Sequence, residues 1–149
     1  MALSWNEIRE RALNFSNKWE GESRERAEKD SFWNDFFEVF GKSRKRLAVF
    51  EKQIQNLKGN TGFIDVFWKG TLLIEHKSRG KDLDAALEQA LDYCHGLSEE
   101  DLPKYILVSD FEIFKLWDIE TNTTHEFRLN EFHKNINLFG FIAGYKRKE

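Results

Sequence analysis

Residues 62–77 limit what this chain can fold into more than any other stretch. Gly62-Phe63-Ile64-Asp65-Val66-Phe67-Trp68 and Leu72-Leu73-Ile74-Glu75-His76-Lys77 are apolar runs rich in β-branched and aromatic residues, separated by Lys69-Gly70-Thr71. Two such runs around a glycine turn read as adjacent strands of a hairpin. In the second strand Leu72, Ile74 and His76 alternate with Leu73, Glu75 and Lys77, so the two sets point to opposite faces. Glu75 and Lys77 are therefore neighbours on one face, about 6.7 Å apart along the strand. Asp65, Glu75 and Lys77 carry high desolvation costs in so apolar a hairpin unless something pairs with them. A divalent cation together with a phosphate is one pairing that serves all three.

Loop length tests this reading. Residues directly opposite across a hairpin share a face. A two-residue Lys69-Gly70 loop pairs Asp65 with Ile74 and puts Glu75 on the opposite face. An odd loop such as Lys69-Gly70-Thr71, or a bulge, aligns Asp65 with Glu75. A catalytic role for the three therefore requires an odd loop or a bulge. The alternative is a strand-edge acid and a surface Glu–Lys pair.

The 149 residues suit one domain with a real core, to which 14 Phe and five Trp bring large apolar volume. The expected layout is N-terminal helices over 4–41, a core over 45–109, and a strand pair with a short helix over 111–144. No stretch has the length of a membrane span, and Met1-Ala2-Leu3-Ser4 opens no signal-peptide pattern. Cys94 is alone, which excludes a disulfide framework and a cysteine zinc site. A cytoplasmic location without membrane partners is the expectation.

The net charge of −3 is unusual for a protein that holds nucleic acid through bulk electrostatics. Its basic residues are clustered: Lys42, Arg44, Lys45 and Arg46 before the hairpin, Arg79 and Lys81 after it, and Lys146, Arg147 and Lys148 at the end. The first cluster reads either as solvated surface or as a DNA contact through Arg44 and Lys45. Ser78, Arg79 and Lys81 leave the candidate site directly and read as phosphate contacts.

Ser4 with Glu7 forms a capping-box pattern before a helical stripe of Trp5, Ile8, Ala12, Phe15 and Trp19. Ser23 is placed to cap a second helix carrying Phe32, Trp33, Phe36, Phe37 and Phe40, which Gly41 ends. Arg46–Leu57 reads as a strand, with a helix as the competing assignment. Asp82 caps a helix whose buried face holds Leu83, Ala86, Leu87, Ala90, Leu91 and Cys94, ended by Gly96. Tyr105–Val108 reads as a buried strand. Glu112–Ile119 and Thr124–Leu129 read as a strand pair around Thr121-Asn122, and Asn130 opens a short last helix. The order after the first helix is α-β-β-β-α-β, giving an α/β (α+β) class with a mixed sheet flanked by helices.

Asp65-x9-Glu75-x-Lys77 resembles the catalytic pattern of the PD-(D/E)xK nuclease superfamily. Glu75-His76-Lys77 is the only Asp/Glu-x-Lys triplet in the chain. Gln89-Ala90-Leu91-Asp92-Tyr93 matches the Gln-x-x-x-Tyr that follows the hairpin in RecB-like members. The run from Gly62 to Asp65, then Glu75 to Leu83 and Ala86 to Tyr93, is similar to the N-terminal nuclease domain of MmeI-like bifunctional restriction–methylation proteins. The resemblance spans roughly Glu25 to Gly144.

It implies the restriction-endonuclease-like fold and a Mg²⁺-dependent DNA endonuclease, with Mn²⁺ as substitute. Asp65 and Glu75 would bind the metal with the His76 backbone carbonyl, and Lys77 would serve the attacking water. Gln89 and Tyr93 would support the site. A glutamate on the helix before the sheet would complete the metal shell, either Glu25 or Glu28; the pattern Glu25-Arg26-Ala27 favours Glu25. The resemblance further implies double-stranded DNA as substrate and a transient dimer for cutting both strands. It also implies methyltransferase and target-recognition regions outside this chain, with S-adenosylmethionine as cofactor only if such a methyltransferase follows. The competing readings are a repair or recombination nuclease of the same superfamily and a non-catalytic binding domain that kept the fold. His76 alternates away from Glu75 and reads as packed, and Cys94 as core.

Overall fold

The structure, a computed structural model, describes residues 2–47, 49–55 and 61–145. Helices α1 (Trp5–Trp19) and α2 (Glu25–Val39) lead through a one-turn α3 (Arg44–Leu47) into strands β1 (Val49–Gln55), β2 (Thr61–Trp68) and β3 (Leu72–His76). Helix α4 (Leu83–Cys94) connects β3 to β4 (Tyr105–Ser109), and β5 (Ile113–Asp118) and β6 (Thr123–Arg128) follow. Two 3-10 segments, Leu129–Lys134 and Ile136–Phe139, precede a last turn of helix, α5 (Gly140–Ala143).

The six strands form one sheet in chain order. Only β3 and β4 run parallel, because α4 carries the chain back across the sheet between them; the other neighbours are antiparallel. The sheet is covered on both faces. Leu72, Ile74, Leu107, Phe114 and Phe127 pack with the aromatic faces of α1 and α2. Leu73, Ile106 and Val108 pack with Leu83, Ala86, Leu87 and Ala90 of α4. Strands buried on both faces need near-continuous apolar runs, and β3 and β4 have them.

The helix signals differ in how they are met. Ser4 Oγ accepts from the Glu7 N–H at 3.2 Å, as its position predicts. Asp82 Oδ1 accepts from the Asp84 and Ala85 N–H groups at 3.0 and 3.2 Å, starting α4. Ser23 does not cap α2. No side chain caps its first turn; just upstream the Glu22 carboxylate accepts from the Ser23 and Arg24 N–H groups at 3.0 Å each and orders the approach to the helix. The Arg24 guanidinium beside it holds the Glu22 carboxyl down to about 2. The strand expected from Arg46 begins at Val49 instead, because residues 44–47 take one helical turn first; Asn56 and Leu57 lie outside the described residues. In α4, Tyr93 is buried and Leu91 only half-buried. The expected last helix is a chain of 3-10 turns with a four-residue α5.

Asp82→Ala should lower stability by about 1 kcal/mol, since it removes acceptors from two first-turn N–H groups of α4. Denaturant unfolding would show this as a shifted midpoint with an unchanged slope; an unchanged midpoint would mean that α4 is held by packing alone.

Candidate active site

The site lies where β2 leaves β3. Trp68 pairs with Leu72, so the loop is the three residues Lys69, Gly70 and Thr71. Gly70 has a φ of +74°, a backbone conformation that glycine adopts at little cost. The loop is odd, as the alignment of Asp65 with Glu75 requires. The β2–β3 ladder ends at Val66 opposite Ile74. One step further, side chains replace the backbone ladder: Asp65 Oδ2 accepts from the His76 N–H at 2.8 Å.

The alternation of β2 also breaks here. Ile64 packs on the α4 side and Val66 on the α1–α2 side, although they are two residues apart. This twist through Asp65 brings its carboxylate within reach of α2. Lys29 Nζ lies 2.7 Å from Asp65 Oδ1, with both side chains mostly withdrawn from water.

Glu75 is 3% exposed. Burial, reinforced by the nearby Asp65 charge, pushes its carboxyl up to about 7, against the opposing pull of Lys77. Lys77 Nζ sits 3.5 Å from Glu75 Oε2 and donates to Gln89 Oε1 at 2.9 Å. Gln89 Nε2 donates to the Tyr93 hydroxyl at 3.4 Å. Hence Glu75, Lys77, Gln89 and Tyr93 form one connected row from β3 to α4. The i, i+4 spacing of Gln89 and Tyr93 puts both on the helix side facing the strand.

His76 occupies the other face of β3, in edge-to-face contact with Phe32, Trp33 and Phe111, with the Phe111 ring centre 4.2 Å away. Trp33 Nε1 donates to His76 Nδ1 at 3.0 Å, which leaves Nε2 as the protonated nitrogen. Burial first, and then the Lys29 charge, push its pKa down to about 3, so the imidazole is neutral. Cys94 is buried, which raises its thiol to about 11.

Of the two helix acids, Glu28 pairs with Arg24 at 3.5 Å. Among the described residues it does not join Asp65 and Glu75 in a cluster of three metal-binding side chains. Glu25 is the first residue of α2, one helical turn before Lys29; its side chain is outside the described residues.

The basic residues divide. Lys81 and Ser78 line a cavity of about 380 Å³ with Lys77 and Gln89, opening beside the row of polar groups. Arg79 turns elsewhere: it donates to the Glu22 carbonyl at 2.8 Å and to Glu112 at 3.2 Å, and Arg128 also binds Glu112. Arg44 Nε donates to Asn34 at 3.1 Å, and burial lowers its pKa. Lys45 is exposed on α3. Lys146, Arg147 and Lys148 lie outside the described residues.

Two residues that shape the site were not legible as such. Lys29 has no distinguishing sequence context; only its place four residues after Glu25 puts it on the same side of α2. Asp110, 2% exposed, accepts from the Glu112, Ile113 and Gly80 N–H groups. It thereby ties the loop after Lys77 to the β4–β5 turn, where Phe111 is held at a φ of +79°. The Asp110–x–Glu112–Ile113 spacing is an Asx-turn signal that could have marked it.

The donor set suits a hard cation. Asp65 and Glu75 present carboxylate oxygens, and Glu75 Oε1 is buried without a hydrogen-bond partner among the described residues.

The family described as MmeI, N-terminal domain matches residues 10–149. The chain belongs to that family. This family member also matches a chain in the cryo-EM structure of a DrdV–DNA complex, with a TM-score of 0.56 over 97% of its own length. Identity there is 16%, so that likeness is one of fold. The chain spans 14% of the length of that larger chain. No curated protein matches it significantly. The family is thus shown by the sequence, and the mixed sheet flanked by helices is a fold this chain shares with part of that larger chain. Among the described residues, no helix is long and apolar enough to cross a membrane.

Proposed function

We propose that this domain is the metal-dependent DNA-cleaving module of a restriction–modification protein, hydrolysing phosphodiester bonds. The observation that carries the reading is the clasp at the end of the hairpin. A buried Glu75 with an orphan carboxylate oxygen lies beside Asp65, and Lys77 stands 3.5 Å from Glu75.

Asp65 and Glu75, with the His76 carbonyl, are the groups that would hold Mg²⁺, and Glu25 is the candidate to complete that shell. When bound, the cation would supply Lewis-acid charge to the scissile phosphate and to the attacking water. The other steps belong to the chain. Gln89 Oε1 accepts one hydrogen bond from Lys77 and so fixes the direction of the ammonium, leaving its remaining N–H groups for the phosphate or the water. Lys77 thereby offsets charge that develops in the transition state without reorganising at that moment. Tyr93 holds the Gln89 amide in place. His76 stays neutral and packed, locking the backbone whose N–H positions Asp65.

The direct test is duplex-DNA cleavage by the intact protein with Mg²⁺ and with a chelator. Cleavage that persists at full rate in the chelator, or never occurs, would overturn the reading.

DNA affinity is expected to come largely from elsewhere in the full protein. Lys77 and Lys81 border the groove, whereas Arg79 is held by Glu112 and the Glu22 carbonyl. Few cations are thus available to phosphates, and phosphate contacts carry no base information. The 149-residue chain should bind duplex DNA weakly, without sequence preference, and more weakly as salt rises. Fluorescence anisotropy with a target and a scrambled duplex would check this; strong preference for one would mean that this domain reads bases.

A further inference from the structure

Asp65 already has a cation. Lys29 reaches down from α2 and places its ammonium 2.7 Å from Asp65 Oδ1, with side-chain exposures of 18% and 12%. The other oxygen, Oδ2, is engaged by the His76 N–H at 2.8 Å. Both Asp65 oxygens are thus engaged, Oδ2 by backbone and Oδ1 by the Lys29 side chain. Lys77 does not compete for that position, since it lies against Glu75 and Gln89. The two acids of the clasp thus have separate lysines, one from each side of the sheet. Lys77 belongs to the strand that carries Glu75, and Lys29 to the helix packed on the opposite face.

We infer that Lys29 is a resident counter-ion of the clasp, which a divalent cation must displace from Asp65 in order to bind. This rests on the metal-site reading above and adds a competitor to it. The physical grounds are simple. A carboxylate this far from water is costly to leave unpaired, so a built-in ammonium keeps the metal-free site folded. A dication and an ammonium on the same oxygen repel each other, so the two states exclude one another. Lysine suits such a role, because its flexible four-carbon stem lets the charge withdraw without moving the helix. The site therefore exchanges one cation for another, and its metal affinity is set partly by Lys29.

The experiment is a calorimetric titration of the 149-residue chain with Mn²⁺, together with the Mn²⁺-induced shift in melting temperature. Lys29→Met keeps the stem and removes the charge. It should bind Mn²⁺ about tenfold or more tightly than the wild type, the scale of one charge-assisted hydrogen bond, and show the larger thermal shift. Lys29→Gln, also uncharged, serves where the Met variant is too unstable to titrate, and should move the same way. Lys29→Arg keeps the charge and should bind no tighter than the wild type. Asp65→Asn is the control for the site itself. Equal or weaker binding in the uncharged variants, with binding still lost in Asp65→Asn, would overturn the competition while leaving the metal site standing. Absence of Mn²⁺ binding in every form, or binding indifferent to Asp65→Asn, would overturn both.

Discussion

Lys77→Ala in the intact protein should lower the rate of metal-dependent DNA cleavage by a factor on the order of 10²–10³, the usual loss when one preorganised donor is removed from a site of developing negative charge. The effect should fall on the chemical step. Lys77 is one-quarter exposed and held by Gln89 and Glu75, so its ammonium is oriented before any substrate arrives. Asp65→Asn should be at least as damaging. The amide oxygen can still accept the His76 N–H, so the local backbone is kept while the charge is lost. Glu75→Gln should behave likewise. Single-turnover cleavage with pre-bound DNA would separate these losses from weakened binding, and circular dichroism would show that the fold is intact. Groups that act as one unit are not additive, so Asp65→Asn combined with Lys77→Ala should be little worse than either alone. Wild-type rates in Lys77→Ala or Asp65→Asn would remove the catalytic assignment.

The second large effect has the opposite sign. Without metal, Glu75→Gln should stabilise the domain by about 3 kcal/mol above pH 7. The Glu75 carboxyl rises from 4.5 to about 7 on folding, chiefly through burial and then through the Asp65 charge. Between pH 4.5 and 7 the folded chain therefore holds a proton that the unfolded chain has released. Stability falls as pH rises through that window and then levels off. Gln has the same shape and no charge to bury, so it escapes the penalty. The gap between variant and wild type should be absent below pH 4.5, open up to pH 7, and stay constant beyond. His76 acts in the other direction. Its pKa falls from 6.5 to about 3, so its contribution is lost as pH drops below 6.5; it is common to both proteins and cancels in the comparison. Chemical denaturation in a chelating buffer at several pH values would measure the gap. A gap that does not change with pH would mean that Glu75 is charged at little cost. With Mg²⁺ present the order should reverse, because only the carboxylate gains from a ligand of the native state. Stability and function would then be opposed at one residue.

Much of this protein was legible in one dimension because local rules carry it. The hairpin followed from two apolar runs around Lys69-Gly70-Thr71. The α4 start followed from Asp82, whose carboxylate answers first-turn N–H groups wherever the helix is placed. The association of Glu75, Lys77, Gln89 and Tyr93 rests on two short periodicities, i to i+2 on a strand and i to i+4 on a helix, and the fold only had to bring the two elements together. The run from Gly62 to Asp65, then Glu75 to Leu83 and Ala86 to Tyr93, was likewise enough to indicate the family that residues 10–149 match.

Tertiary structure decided the rest, for identifiable reasons. Where β1 begins was settled by a helical turn at Arg44–Leu47 that neither periodicity announces. Arg79 reads as a phosphate contact in sequence, but the fold gives it Glu112 and the Glu22 carbonyl, partners 33 and 57 positions away. The parity of the hairpin allowed Asp65 to face Glu75, yet not that β2 would twist there and turn Asp65 toward α2. Lys29 and Asp65 are 36 positions apart. Their pairing depends on how a helix packs across a sheet, and no local propensity encodes that distance. The sequence by itself singled out Asp65, Glu75, Lys77, Gln89 and Tyr93 as the candidates for the proposed chemistry. The packing of α2 against the sheet determined which cation stands beside them when no metal does.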